Sequence, residues 1–349
     1  MSNRIKMGPT RIWNPPNPYL TEHRELLGQP PAAELEVYKD QSKTILSTNN
    51  SPDLGFRYSV NPYRGCFHAC AYCYARPTHE YFGFGAGTDF ERKIFVKRRA
   101  PALLQEAFDR PSWRGERIMF SGVTDCYQPL EASWQLTRGC LEVCAAYRNP
   151  VGIITKSLLI RRDAALLAQL AREAEVFVSL SIAFLDEDIV RLIEPGAPTI
   201  RRRFETMRLL ADAGVPVGIG IAPLIPGLND SDIPGLLQEA KRCGAQFAFK
   251  TLLRLPGSVK EVFFHRLQEA LPLRASRVEQ RIRETREGKL SDSRFGHRHH
   301  GDGEYWEVIE QAWRVWTHRC GFDRDEDTSP TPTTFLRPPR REAQLTLML

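Results

Sequence analysis

Short apolar segments alternate with amphipathic segments through the middle of this 349-residue chain. The apolar segments contain few polar residues, which is typical of strands in a parallel sheet that helices cover on both faces. About six strand–helix units predict an α/β fold, either a full or partial TIM-type barrel or a doubly wound open sheet. In each fold, functional side chains gather at the carboxyl ends of the strands. The predicted strands are residues 56–60, 94–96, 118–120, 151–155, 176–182, 215–222 and 245–253.

The two ends of the chain differ from this core. Residues 1–55 are rich in proline and polar residues and predict an N-terminal arm, and residues 56–272 form the predicted core. Residues 273–322 predict a C-terminal helical extension. Residues 323–349 are acidic, then rich in proline and threonine, then basic, which predicts a disordered tail. We find neither an apolar secretory segment nor an 18-residue apolar run, so we expect a cytoplasmic protein without a membrane span.

Three of the eight cysteines lie within eight residues. Cys66, Cys70 and Cys73 have the spacing C-x3-C-x2-C, directly after the first predicted strand. Thiolates favour zinc or an iron–sulfur cluster. A structural zinc site would need a fourth ligand, which His68 or His79 could supply. An electron-transfer [4Fe–4S] cluster also takes four cysteines, whereas three ligands leave an open coordination position suited to catalysis.

The cysteine motif resembles that of the radical S-adenosylmethionine (SAM) enzymes, with Tyr72 in the aromatic position of C-x3-C-x-aromatic-C. The resemblance implies a partial (β/α)6 barrel and a [4Fe–4S] cluster on the three cysteines. It also implies that SAM binds the fourth iron and that one electron cleaves it to a 5′-deoxyadenosyl radical, which takes hydrogen from a substrate. Reduced flavodoxin or ferredoxin is the implied electron donor.

Further segments resemble the spore-photoproduct-lyase-like branch of that superfamily, often called DNA repair photolyase-like. The resemblance spans about residues 56–255 and is closest to an uncharacterised bacterial subgroup. It implies a nucleic-acid substrate as one candidate, but the subgroup itself supplies no known substrate. The segments are residues 61–66, 79–80, 89–90, 121–131, 155–157, 179–182, 194–196, Arg203 and 222–230.

Polar residues at the strand ends are the candidate SAM ligands. Lys156 ends an apolar strand, where a cation needs a partner, and the resemblance implies the SAM carboxylate; an ordinary salt bridge is the alternative. Ser179 and Ser181 share one face of their strand, and they either contact SAM or bond locally to the backbone.

The resemblance suggests roles for three more residues. Asp125 occupies a strand-end position that accepts from the SAM amine in many superfamily members. Arg203 is expected to bind the SAM carboxylate or to pair with Glu194. Tyr72 is expected to pack beside the adenine or the cluster, or to be a core aromatic.

Cys126 is the candidate catalytic residue. The lyase uses a strand-end cysteine just before its aspartate as a hydrogen donor, but Gly122 stands at that position here and Cys126 follows Asp125. This shift leaves the lyase mechanism open. The remaining cysteines are expected to be packing residues: Cys140, Cys144, Cys243 and Cys320.

The net charge of +6 favours an anionic partner such as nucleic acid, although a mildly basic enzyme would show the same balance. Two functions outside radical chemistry remain open. One is a zinc-stabilised Cys3His nucleic-acid-binding module, and the other is an electron-transfer iron–sulfur protein that does not cleave SAM. Residues 297–300 (HRHH) predict a polar loop that could also close over substrate or bind a metal.

Overall fold

The computed structural model describes residues 14–19, 34–322 and 333–339. The described residues contain ten strands, arranged in a seven-stranded sheet and a three-stranded sheet. The strands are β1 (Glu36–Lys39), β2 (Leu46–Thr48), β3 (Tyr58–Val60), β4 (Tyr63–Arg64), β5 (Lys93–Val96), β6 (Ile118–Phe120), β7 (Val151–Thr155), β8 (Val176–Ser181), β9 (Val217–Leu224) and β10 (Phe247–Leu252).

Eleven α-helices and three short 3-10 helices connect and flank these strands in the described ranges. The 3-10 helices are Arg76–Phe82, Leu158–Asp163 and Asp230–Asp232. The α-helices are α1 (Thr88–Arg92), α2 (Ala100–Phe108), α3 (Glu131–Trp134), α4 (Leu136–Ala146), α5 (Ala164–Glu173), α6 (Glu187–Ile193), α7 (Ile200–Asp212), α8 (Ile233–Arg242), α9 (Val259–Ala270), α10 (Pro272–Glu284) and α11 (Glu304–Cys320).

The larger sheet has the strand order β10-β9-β8-β7-β6-β3-β2. Six of its strands, β3 and β6 to β10, pair in parallel, and β2 joins the edge in antiparallel orientation to β3. Among the described residues, β10 and β3 do not pair with each other, so the sheet remains open. The predicted α/β fold with a partial (β/α)6 barrel is therefore confirmed.

The apolar strands are buried because helices cover the sheet. Every residue of β6 is buried, and so is nearly every residue of β7 and β8. Helix α5 packs against β8, while α7 and α8 pack against β9. The apolar residues of α8 lie on one face, with Ile233, Leu236, Leu237 and Ala240 all buried. This amphipathic pattern is what the sequence alternation reflects.

The chain forms two separate helices, α3 and α4, after β6. Gln135, at the junction, has a φ of 49°. The cause lies in Glu131, whose carboxylate accepts hydrogen bonds from the backbone N–H groups of Thr137 at 2.9 Å and Arg138 at 3.2 Å. These bonds satisfy N–H groups at the start of α4, so the chain begins a second helix there.

The second half of the predicted N-terminal arm is part of the two sheets. Strand β1 pairs in parallel with β5, and β2 pairs with β3. Strand β1 is largely exposed and lacks the apolar character of the core strands, so it carries no strand signal in the sequence. Apart from residues 14–19, the first part of the arm lies outside the described residues.

Residues 333–339 depart from the predicted disordered tail. The Leu336 N–H donates to the carbonyl of Tyr147 at 2.8 Å, and the Phe335 ring stacks on the Tyr147 ring. The Arg337 guanidinium donates to three carbonyls, those of Phe108, Arg110 and Trp113. An aromatic ring and a guanidinium thus hold a segment whose composition alone indicates disorder. The rest of the predicted tail lies outside the described residues.

The predicted C-terminal helical extension corresponds to α10 and α11. Within the described ranges, no helix combines the length and the apolar character that crossing a membrane requires.

Candidate active site at the carboxyl ends of the strands

The cysteine loop, residues 65–76, lies at the carboxyl ends of the parallel strands. The Thr124 hydroxyl, which follows β6, donates to the Gly65 carbonyl at 2.5 Å. The Tyr74 hydroxyl donates to the Gly122 carbonyl, also after β6, at 2.7 Å. The Ala71 N–H donates to the Ile193 carbonyl at 2.9 Å. The three cysteines are therefore placed where a barrel of this kind carries its functional groups.

A buried arginine shapes the cysteine loop from within. Arg76 is fully buried, and its Nε and Nη2 atoms donate to the Cys70 carbonyl at 3.0 and 2.7 Å. The same guanidinium donates to the carbonyls of Ala86 and Gly87 and forms an ion pair with Glu91 at 2.7 Å. Arg76 was missed from the sequence because a single arginine after the motif carries no periodic or spacing signal.

A close backbone approach fixes the other side of the loop. The Gly196 N–H donates to the His68 carbonyl at 3.0 Å. A Cβ atom on Gly196 would lie 2.0 Å from the Phe67 carbonyl oxygen, so only glycine fits this position. The Glu-Pro-Gly segment at 194–196 thus packs directly on the cysteine loop.

The three cysteines of the motif are removed from solvent to different degrees. Cys66 and Cys70 are each 7% exposed, and Cys73 is partly buried. Burial raises the pKa of Cys70 and of Cys73. Burial acts the same way on Cys66, but the neighbouring His68 outweighs it and lowers the pKa of that thiol.

His68 pairs with Asp125 instead of completing a Cys3His set. Its Nδ1 atom lies 3.3 Å from Asp125 Oδ2. The Asp125 carboxylate also accepts from the Thr155 hydroxyl at 2.7 Å and from the backbone N–H groups of Lys156 and Tyr127. Although burial opposes it, the charge of His68 helps to lower the pKa of Asp125 to about 2. Both carboxylate oxygens are thus engaged by the protein, and Asp125 joins the cysteine loop to the end of β7.

Lys156 has no carboxylate partner among the described residues. Its Nζ atom donates to the Ser181 hydroxyl at 3.0 Å and lies 5.6 Å from the centroid of the Tyr72 ring. Burial opposes the charged form, but Cys70 and Glu194 outweigh it and raise the pKa of Lys156. The ammonium therefore stays charged, and among the described residues it forms no ordinary salt bridge.

Arg203 and Glu194 form a fully buried ion pair. Arg203 also donates from Nε to the Pro198 carbonyl at 2.8 Å and from Nη1 to the Ser181 carbonyl at 3.1 Å. The Tyr72 hydroxyl donates to the other oxygen of Glu194. All three nitrogens of the Arg203 guanidinium therefore have a partner, and the expected pairing with Glu194 is the one observed. The guanidinium holds the residues around Lys156 in place.

Among the candidate SAM ligands that the structure describes, only Ser179 has a side chain without a hydrogen-bond partner. It is fully buried, and its Oγ atom makes no hydrogen bond with any described residue. A Cβ atom on Gly220 of β9 would lie 3.2 Å from this hydroxyl. Buried polar atoms are nearly always hydrogen-bonded, so an unpartnered hydroxyl close to Lys156 and Ser181 in the sheet fits a site that binds a polar ligand.

Cys126 is placed in the core. It is fully buried among apolar side chains, its N–H donates to the Ser121 hydroxyl at 3.1 Å, and its carbonyl accepts from Thr137 at 2.5 Å. Burial holds the pKa of its thiol well above the usual range. The group therefore keeps its hydrogen, but it has no exposure to the space at the strand ends.

The donor set fits a cluster better than a single ion. In the described part of the chain, no three His, Cys, Asp or Glu side chains converge so as to hold one metal ion. Each thiolate of an iron–sulfur cluster binds a different iron, so the three cysteines need not converge on a point. His79, the other candidate zinc ligand, is instead buried with its Nε2 atom 2.8 Å from the Lys93 carbonyl.

The family model for the "Radical SAM superfamily" matches residues 60–240. An uncharacterised protein of Mycobacterium tuberculosis is 39% identical over 236 residues, which cover 67% of this chain and 69% of that protein. An uncharacterised protein of Methanocaldococcus jannaschii is 28% identical over 240 residues, covering 69% of this chain and 85% of that protein.

The fold is similar to that of spore photoproduct lyase. One solved structure of a lyase variant has a TM-score of 0.60 and 18% identity, covering 87% of each chain. Another lyase structure, described as having bound AdoMet and dinucleoside spore photoproduct, has a TM-score of 0.59 and covers 82% of this chain and 79% of that one. Together with the family match over residues 60–240, which include all three cysteines of the loop, these findings confirm the predicted resemblance, and the chain belongs to the radical SAM superfamily.

Proposed function

We propose that this protein binds a [4Fe–4S] cluster through Cys66, Cys70 and Cys73, cleaves SAM reductively, and uses the radical for hydrogen abstraction. The supporting observation is the Lys156 ammonium at the strand ends beside the cysteine loop, which has no carboxylate within ion-pair distance among the described residues. A partly buried ammonium without an ion pair is costly unless a ligand supplies one. The carboxylate of SAM has the required charge.

The surrounding residues have distinct roles in this proposal. Lys156 would bind the SAM carboxylate, and Ser179 and Ser181 would supply hydroxyls beside it. Tyr72 lies under the ammonium, and its ring would also border the adenine or the cluster. Asp125 and Arg203 are positioning residues, because the protein already engages Asp125 through His68 and Thr155 and engages Arg203 through Glu194.

When bound to the reduced cluster, SAM supplies the 5′-deoxyadenosyl radical that takes hydrogen from the substrate. The chain itself orients SAM and keeps water from the radical. The electron would come from reduced flavodoxin or ferredoxin, and we propose a cytoplasmic location, where such donors and reduced thiols are found.

For the substrate, we propose nucleic acid. The support is the likeness of the fold to spore photoproduct lyase and the net charge of +6. Repair of the lyase type is the corresponding activity. The burial of Cys126 means that its role as hydrogen donor rests on the sequence position alone.

The decisive experiment is anaerobic reconstitution of the full chain with iron and sulfide. We expect a brown protein with about four irons and four sulfides per chain. Dithionite and SAM should then give 5′-deoxyadenosine. Cys70→Ala should abolish this activity, whereas Cys140→Ala is a matched control, because it removes a buried thiol outside the cysteine loop.

Two outcomes would contradict the proposal. A colourless protein with one zinc ion would favour the Cys3His nucleic-acid-binding module. A full cluster that never cleaves SAM would favour the electron-transfer protein. For the substrate, deuterium from labelled DNA or RNA should appear in 5′-deoxyadenosine, and its absence with both would contradict a nucleic-acid substrate.

A further inference from the structure

Residues 289–303, in the connection between α10 and α11, form a loop that is fixed over the end of β10. The Leu252 N–H donates to the His299 carbonyl at 3.1 Å. Arg286 donates from Nη2 to the Leu253 carbonyl at 2.8 Å and to the Arg298 carbonyl at 3.2 Å. The loop therefore lies at the same edge of the sheet as the cysteine loop, because β10 is parallel to the other core strands.

The N-terminal part of the chain holds the same loop from the other side. The Asp53 carboxylate accepts from the Gly296 N–H at 2.6 Å and forms an ion pair with Arg298 at 2.5 Å. Arg298 also donates to the Ser51 hydroxyl. Contacts between segments 243 residues apart in sequence make this loop a built feature rather than a loose connection.

Arg254, two residues after β10, lies beside this loop without a partner. It is partly buried, and it makes no hydrogen bond or ion pair with any described residue. The nearby carboxylate of Asp53 is already paired with Arg298. Burial and the charge of Arg298 lower the pKa of Arg254, so both disfavour its charged form in the protein alone.

His299, on the loop, has two unsatisfied nitrogens. Both Nδ1 and Nε2 are buried and have no hydrogen-bond partner among the described residues. Burial, followed by the charges of Arg254 and Arg298, lowers the pKa of His299 to about 4. The imidazole is therefore neutral at pH 7 and offers one N–H donor. The backbone of His299 is bonded to Leu252, two residues before Arg254.

This pair of groups lies next to the cysteine loop. Tyr74 directly follows Cys73 and is 51% exposed. Its hydroxyl donates to the Gly122 carbonyl after β6. On the other side, the Ser258 hydroxyl, four residues after Arg254, donates to the carboxylate of Glu80, four residues after Arg76. A ligand held by Arg254 would therefore lie near the cysteine loop.

We propose that Arg254 and His299 bind a phosphodiester of the substrate strand at the edge of the active site. The inference rests on the proposed function, whose substrate it specifies. One uncompensated positive charge matches the single negative charge of a phosphodiester. The guanidinium fork and the imidazole N–H match its two non-bridging oxygens.

The test measures binding of a fluorescent thymidine oligonucleotide to the reconstituted protein with SAM, by anisotropy. Arg254→Gln should weaken binding by about 10-fold to 100-fold, the range for a lost charged hydrogen bond. It should also reduce the slope of log Kd against log salt concentration by about 0.7, since one phosphate contact is lost. A merely structural role would not change that slope.

Two further variants keep the result interpretable. His299→Leu should weaken binding with the salt slope unchanged, because it removes a neutral donor. This variant tests the site if Arg254→Gln does not fold. Arg201→Gln, which removes an exposed arginine on α7, should bind like the wild type.

Unchanged binding in both site variants would overturn the proposal, as would equal wild-type binding of an uncharged methylphosphonate oligonucleotide or no binding at all. Formation of 5′-deoxyadenosine by the same wild-type preparation is measured separately. Its absence would count against the proposed function and would leave the binding result intact.

Discussion

The ammonium of Lys156 and the hydroxyl of Ser181 form a 3.0 Å hydrogen bond that joins the ends of β7 and β8. The Ser181 hydroxyl in turn donates to the carbonyl of Ala222 in β9 at 3.3 Å. Three neighbouring strands thus hold one lysine whose ammonium has no carboxylate within ion-pair distance among the described residues. The lysine is placed by the sheet and is available to a ligand.

Replacing Lys156 should affect SAM but not the cluster. We expect Lys156→Met to weaken SAM binding by about 10-fold to 100-fold, because a charged hydrogen bond to the carboxylate is lost. Lys156→Arg, which keeps the charge, should lose less. Equilibrium binding of SAM and the iron content per chain are the measurements. Wild-type SAM affinity in Lys156→Met would contradict the assigned role.

The buried ion pair between Arg203 and Glu194 should be important for stability. Arg203→Met leaves a buried carboxylate without its partner, so we expect a loss of about 3–5 kcal/mol in the free energy of unfolding. Arg201→Met is the matched control, since it breaks an exposed pair with Glu205 on the same helix and should cost at most about 0.5 kcal/mol. Urea unfolding of both variants measures the difference.

The double variant Arg203→Met with Glu194→Leu sharpens this test. It removes both charges, so it should be more stable than Arg203→Met alone. If the double variant were the less stable of the two, the uncompensated charge would not be the cause of the loss.

The cysteine loop and the polar residues at the strand ends could be singled out because their signals are local. The cysteine spacing is contained in eight residues, and Lys156, Ser179 and Ser181 stand out as polar residues in apolar strands. Parallel strands then bring their ends together without any further information.

The supporting contacts were not predictable in the same way. Arg76 bonds to backbone carbonyls whose positions depend on the folded loop. The contact of Asp53 with Arg298 joins segments with no pattern in common. Such contacts follow from the tertiary arrangement, which the periodicity of one sequence does not specify.

Lys97 should make stability depend on pH in the alkaline range. It is 5% exposed, and its ammonium has no hydrogen bond or ion pair with a described residue. Burial, and then the charge of Arg64, lower the pKa of Lys97 from 10.5 to about 8. The unfolded chain therefore binds the proton more tightly, and the folded state gains stability as pH rises from 8 towards 10.5.

Lys97→Met should accordingly be more stable than the wild type at pH 7, by about 1–3 kcal/mol. Its advantage should shrink as pH rises towards 10.5. Lys260→Met, at an exposed position on α9, is the control and should change stability by at most about 0.5 kcal/mol. A constant difference between Lys97→Met and the wild type from pH 7 to 10.5 would contradict this account.

Cys126→Ala separates a packing role from a hydrogen-donor role. From the full burial of the thiol, we expect a loss of about 1 kcal/mol in the free energy of unfolding and little else. Formation of 5′-deoxyadenosine and the product pattern should be those of the wild type. A changed product pattern with unchanged 5′-deoxyadenosine formation would instead assign the donor role to Cys126.

Gly196→Ala should disturb the cysteine loop from outside it. The added Cβ atom would lie 2.0 Å from the Phe67 carbonyl oxygen, so the backbone on one side of the contact must move. Because that contact also includes the hydrogen bond from the Gly196 N–H to the His68 carbonyl, the movement displaces the chain between Cys66 and Cys70. We expect a loss of about 1–3 kcal/mol in stability, as for other overpacked sites, and fewer than the usual four irons per chain after reconstitution.

Gly55→Ala is the matched control for this variant, because a Cβ atom there would meet nothing within 4 Å. It should leave both the unfolding free energy and the iron content close to those of the wild type. Iron analysis and urea unfolding of the two variants in parallel measure the effect. A full iron complement in Gly196→Ala with wild-type stability would mean that the loop accommodates the methyl group, and that this close approach does not hold the cysteines in place.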